Sequence, residues 1–160
     1  MRRPLLAAAL GAALLVPVCA LAAPGADGIT GIWLTGDRDG HVKIERCSGD
    51  TFCGKLVWVK PEKDVEVPLD KNNPDPALRS RPLEGLEILK GLTYDGGSEW
   101  TGGTIYDPKS GKTYHVKVTQ PDPDTLKLRG YVGIPLFGRT DVWHRVTEQA
   151  PQTPGGAPGR

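Results

Sequence analysis

The segment W-T-G-G-T-I-Y-D-P-K-S-G-K-T-Y-H-V-K-V, residues 100–118, constrains the fold more than any other part of this chain. It reads as a β-hairpin: Asp107-Pro108-Lys109-Ser110-Gly111 supplies a turn, and Gly102-Gly103 before it permits a bend or bulge. After the turn, Tyr114, Val116 and Val118 alternate with His115, Lys117 and Thr119 at the period of two expected of a half-buried strand. A protein built on this unit is a sheet protein.

The same reading along the chain predicts about eight strands, at residues 29–35, 41–47, 52–59, 86–89, 98–106, 113–120, 126–131 and 139–146. Short turn signals separate most of them, Gly36-Asp37-Arg38-Asp39-Gly40 and Pro121-Asp122-Pro123-Asp124 among them. Consecutive short strands joined by tight turns form an antiparallel meander, and closure removes its unpaired edges. The expected fold is therefore all-β, an up-and-down β-barrel of about eight strands holding either a packed interior or one small-ligand cavity. One connection departs from the pattern. Residues 61–84 are too rich in proline and charge for a regular element, and a loop of this length is expected to cap one mouth of the barrel, with a helical turn at Pro76-Ala77-Leu78-Arg79.

The N-terminus predicts the compartment. Arg2 and Arg3, the apolar run from Leu5 to Val18 and the Ala20-Leu21-Ala22 site make residues 1–22 a cleavable secretory signal, too short in its apolar part for a membrane span. Lipidation at Cys19 is not expected, because Val18 stands where a small residue is needed. The expected product begins near Ala23, lies in a bacterial periplasm or outside the cell, and keeps no membrane anchor. Residues 27–147 form the domain, and the Pro/Gly-rich residues 148–160 read as a disordered tail. Cleavage leaves Cys47 and Cys53, which are expected to pair across a short turn and staple two strands. It also lowers the formal net charge from +1 to about −1, which gives no basic excess for nucleic acid.

No catalytic group stands out, and no enzyme, cofactor or metal is expected. Gly111-Lys112-Thr113 lacks the first glycine of a phosphate loop, since Tyr106 occupies that position, and reads as a hairpin turn. Asp70, Asn72 and Asp75 lie among prolines without a calcium-loop glutamate, so they read as turn-stabilising residues. His41, His115 and His144 lie on separate strands among polar neighbours and read as solvent-facing. Ser48, Ser80, Ser98 and Ser110 lack a nucleophile-elbow context.

Several motifs in order carry a family resemblance: G-I-W at 31–33, C-S-G-D-T-F-C-G-K-L-V-W at 47–58, N-P-D-P-A-L-R-S-R-P-L-E-G at 73–85, the 100–114 hairpin, L-R-G-Y-V-G at 128–133 and G-R-T-D-V-W-H-R at 138–145. On these the chain resembles DUF2147, a family of exported bacterial proteins defined by sequence, which implies no particular activity. Gly31-x-Trp33 on the first strand with Arg145 on the last also resembles the lipocalin and calycin arrangement. That likeness implies a tryptophan packed under a guanidinium at the closed end of the barrel.

Two functions follow as expectations. In the first, the barrel binds a small apolar or amphipathic molecule, with Trp58, Tyr106 and Tyr131 walling the cavity and Arg81 or Arg129 meeting a carboxylate. For Arg81 the simpler alternative is that it pins the long loop through Asp70 or Asp75. In the second, a packed barrel acts through its surface or the 61–84 loop on an envelope protein.

Overall fold

The structure is a computed structural model that describes residues 25–147. The signal at 1–22, Cys19 and the tail at 148–160 lie outside the described residues.

Eight strands run antiparallel, each beside its neighbour in sequence, and close into a barrel. They are β1 (Gly31–Leu34), β2 (Gly40–Ser48), β3 (Thr51–Val59), β4 (Glu87–Gly96), β5 (Glu99–Asp107), β6 (Lys112–Asp122), β7 (Thr125–Tyr131) and β8 (Arg139–Arg145). Closure comes from β1 on β8, where Trp33 lies opposite Arg145 and Leu34 opposite His144. The expected long strand pair around the 107–111 turn is β5 and β6, with a register shift between Trp100 and Gly103 where the double glycine stands. The fourth strand is longer than its sequence suggests. Gly91 adopts φ +68 and the register against β3 slips nearby, so the strand kinks and continues through buried Leu92 instead of ending.

Alternation places one face of each strand inside. Val42 and Ile44, Phe52 and Leu56, Val116 and Val118, Leu126 and Leu128 are all buried in one cluster with Trp33, Trp100 and Trp143. Most of these side chains fill the end of the barrel where β1 begins and β8 ends, while Leu56 and Trp143 lie toward the other end. A 3-10 turn at Ala26–Ile29, in place of the expected start of the first strand, plugs this closed end. Its carbonyls accept from the core: Trp100 Nε1 donates to Ala26 O at 3.1 Å, Gln120 Nε2 to Gly28 O at 2.9 Å, and Trp33 Nε1 to Ile29 O at 2.9 Å.

Arg145 completes the plug. Its guanidinium lies 4.1 Å from the centre of the Trp33 ring and donates to Thr30 O, Gly28 O and Pro123 O at 2.8, 2.9 and 2.8 Å. Gly31 is required beside it: φ is +131, and a Cβ there would fall 2.5 Å from the Arg145 Nη1.

Cys47 and Cys53 are bonded, with their Cα atoms 5.7 Å apart, across the β2–β3 turn. Because the enclosed loop is short, replacing both by serine is expected to cost about 2 kcal/mol. Thermal unfolding of the double variant, compared with the wild-type protein with and without reductant, checks this. A midpoint that matches the oxidised protein would remove the bond from the stability account.

Candidate functional site

The other end of the barrel is open. Four connections gather there: residues 35–39, the long loop 60–86, the 108–111 turn and residues 132–138. They surround a cavity of about 500 Å³ lined by Leu56, Val59, Ile88, Ile105 and Trp143, with Tyr106, Lys109, Arg139 and Asp141 among its polar groups. The volume falls within the range of small-molecule sites, and the mixture of an apolar wall with a few polar groups is what such sites present.

The long loop reaches this mouth because a buried carboxylate organises it. Asp70 is 0 % exposed. Its Oδ1 accepts from the Tyr106 hydroxyl at 2.6 Å, and its Oδ2 accepts from Asn73 Nδ2 at 2.7 Å and from Arg81 Nε and Nη2 at 3.0 and 2.8 Å. Arg79 Nε donates to Asn73 O at 2.8 Å, and Asp75 caps the 3-10 turn Pro76–Leu78 by accepting from Ala77 N. Proline at the first position of that turn gives up no hydrogen bond, as its sequence predicts. Burial, followed by the Asp70 carboxylate, pushes the Tyr106 phenol up to about 12.

A second set of charges joins the rim turns. Lys109 Nζ reaches Asp37 at 2.6 Å and Asp39 at 2.5 Å, tying the β5–β6 turn to the β1–β2 turn. Hydrogen bonds to Asp37 and Asp39 raise the ammonium above its ordinary value. Burial acts to raise the Asp39 carboxyl, but Lys109 and the Thr35 hydroxyl outweigh it, and the group sits below its ordinary value. Asn72 Nδ2 adds a bond to Lys109 O at 2.9 Å, so the long loop is fastened to the 108–111 turn as well.

The five residues singled out as ligand contacts are not brought together. Tyr106 lines the cavity and Arg81 stands behind it, 5.9 Å from its ring centre and bonded to Asp70. Trp58 is outside. Val42 pairs with Leu56 but His41 pairs with Trp58, which leaves Val57 as an extra residue and reverses the alternation beyond it. Trp58 consequently packs on His41, ring centres 4.6 Å apart.

Arg129 and Tyr131 also face out, because Leu126 and Leu128 of the same strand are buried inside. Arg129 donates to Pro135 O, Leu136 O and Thr140 Oγ1 at 2.6, 2.9 and 2.9 Å, and Tyr131 lies beside His115 with ring centres 5.7 Å apart. His41, His115 and His144 thus stand on the outer wall, and among the described residues no group of three or more His, Cys, Asp or Glu is placed to hold a metal ion.

The polar groups that do enter the mouth from β8 are Arg139 and Asp141. They share the inward face with Trp143, whose Nε1 donates to Asp141 Oδ2 at 2.6 Å. Asp141 Oδ1 also accepts from Val142 N, whereas the Arg139 guanidinium has no side-chain partner among the described residues. The signal for these two was the period of two itself: with Trp143 inside, positions 141 and 139 follow it in.

Comparison with known proteins agrees with this geometry. A solved structure described as "Protein HP1028 from the human pathogen Helicobacter pylori belongs to the lipocalin family" is similar, with a TM-score of 0.65 and 26 % sequence identity over 75 % of this chain and 84 % of that one. No curated protein matches the sequence. The profile of the family described as "Uncharacterized protein conserved in bacteria (DUF2147)" matches residues 31–145, which include all eight strands. The chain belongs to the DUF2147 family, on a lipocalin-like barrel.

Proposed function

We propose that this protein is an exported, non-catalytic binder of a small amphipathic molecule, held at the open end of the barrel. The apolar part of the ligand rests on Leu56, Val59, Ile88, Ile105 and Trp143, and an anionic head group meets Arg139. The observation that carries the proposal is this cavity, with its apolar wall and one inward guanidinium that no side chain among the described residues engages. The lipocalin-family description of the similar structure supports a binding role, and the Cys47–Cys53 bond supports an oxidising compartment.

The test uses anilinonaphthalene sulfonate, which joins an apolar ring system to an anion. Binding is expected to raise the dye's fluorescence, and Arg139→Ala is expected to weaken it about tenfold, the worth of one charge-assisted hydrogen bond. Ile88→Trp, which fills the cavity, is expected to remove it. Dye binding that neither substitution alters would end the cavity reading.

A further inference from the structure

We propose that the β7–β8 connection docks the barrel onto an anionic membrane surface, inserting an apolar tip beside the open mouth. This goes beyond the binding role and holds whether or not the cavity is occupied.

Residues 132–138, V-G-I-P-L-F-G, turn through the 3-10 segment Pro135–Phe137. Val132, Ile134, Leu136 and Phe137 are 74, 53, 73 and 80 % exposed. Large apolar side chains scattered singly over a surface need no explanation, but four within six residues on one protruding connection mark an interaction site.

The chain does not hold them out by default. Arg129 ties the backbone of the connection to the outer wall through the carbonyls of Pro135 and Leu136, and its third bond, to Thr140 Oγ1, fixes the guanidinium itself. Phe137 N and Gly138 N close the turn on Ile134 O and Pro135 O. The backbone's polar groups are satisfied against the barrel and the side chains are left pointing away from it.

Charge decides between a bilayer and a protein groove. On the wall that carries the connection, the outward positions of β6, β7 and β8 are Thr113, His115, Lys117 and Thr119, then Thr125, Lys127, Arg129 and Tyr131, then Thr140, Val142 and His144. They include cations, and the one carboxylate on this wall, Asp122 opposite Thr125, stands at the far end from the connection. Lys117 is matched by Glu99 of β5, but Lys127 is exposed with no side-chain partner among the described residues, and Arg129 brings its charge directly beneath the apolar tip. At the mouth, Asp37 and Asp39 are held by Lys109, Asp107 accepts from Ser110 Oγ and Lys109 N, and Asp141 accepts from Trp143 Nε1 and Val142 N. An apolar wedge backed by positive charge matches the boundary between acyl chains and anionic head groups, where burial of apolar area and attraction to the surface add.

Co-sedimentation of the mature protein with phosphatidylglycerol vesicles tests the proposal, with phosphatidylcholine vesicles as the uncharged comparison. Binding is expected to phosphatidylglycerol, to fall as salt is raised from low to physiological ionic strength, and to be much weaker on phosphatidylcholine. The double substitution Leu136→Ser with Phe137→Ser is expected to weaken it about 30-fold, and Lys127→Glu about tenfold. Both sites are exposed, so the variants should unfold at the wild-type temperature; Ile134→Ser serves as a second apolar variant should the double one not do so. Wild-type protein left in the supernatant with phosphatidylglycerol, or serine variants that bind as well as wild type, would overturn the proposal. So would a concentration-dependent dimer in ultracentrifugation that the serine variants abolish, since the tip would then be an interface between copies. The dye experiment on Arg139 reads the cavity separately, so failure of one leaves the other standing.

Discussion

Replacing Asp70 by alanine is expected to lower the unfolding free energy by about 3 kcal/mol and to free the long loop at the mouth. The carboxylate is fully buried and accepts from Tyr106, Asn73 and Arg81 at once. Removing it leaves the phenol without its acceptor, the Asn73 amide with the Tyr106 hydroxyl alone, and a guanidinium without its counter-charge. Breaking a buried ion pair from one side costs about 3 to 5 kcal/mol, and the lower end applies because the Arg81 side chain is 35 % exposed and recovers some solvation. In a domain of this size the loss corresponds to a fall in melting temperature of roughly 10 °C. Limited proteolysis should then cut within residues 60–86 before elsewhere. The phenol gives an independent reading. Tyr106 is raised to about 12 by burial first and Asp70 second, so in the variant its ultraviolet titration should move back toward the ordinary tyrosine value without reaching it. A variant that melts with the wild-type protein and resists protease would show that the loop is held by something other than Asp70.

Trp33→Ala should be costlier still, about 4 kcal/mol, the usual price of removing a fully buried tryptophan. The site has little freedom to collapse. The indole donates to Ile29 O from below, Arg145 covers its face at 4.1 Å, and the neighbouring strands β2 and β8 are fixed by their ladders. Arg145→Lys isolates the guanidinium's share. An ammonium keeps the charge over the ring, but its point geometry does not reproduce the fork that reaches Thr30 O, Gly28 O and Pro123 O together. That variant should lose about 2 kcal/mol, part of it from Thr30 O, which loses its guanidinium donor while Gly28 O and Pro123 O keep Gln120 Nε2. Urea unfolding of both variants checks the pair. Losses under about 1 kcal/mol in each would mean that the closed end is held by the remaining core alone.

At the open end the side chains stand elsewhere than local pattern suggests, for different reasons at different residues. Arg129 and Tyr131 were legible. Leu126 and Leu128 need burial, and strict alternation sends 127, 129 and 131 to the outside. The same rule, anchored on Trp143, points to Arg139 and Asp141 as the inward polar groups of the mouth. Trp58 was not legible. Nothing in L-V-W-V marks Val57 as a bulge, and only its pairing with β2 reveals the extra residue that turns Trp58 to the outside. Likewise, the loop between β3 and β4 carries several aspartates as suitable for Arg81 as Asp70; Asp70 is chosen because folding brings Tyr106, from a strand more than thirty residues away, to its other oxygen.

Local patterns determined that this chain makes eight short strands in meander order, that Cys47 and Cys53 close a turn and that Pro76 begins a helical turn, while the resemblance to the lipocalin arrangement implied that Gly31, Trp33 and Arg145 meet at one end. The local ones depend on short-range alternation or on turn chemistry. The tertiary structure decided the rest: which side of β3 Trp58 takes, how far β4 continues past Gly91, which carboxylate holds the loop, and that Arg129 fastens the backbone of the β7–β8 connection. Those outcomes turn on partners distant in sequence, and a period of two carries no information about a partner strand until the two are paired.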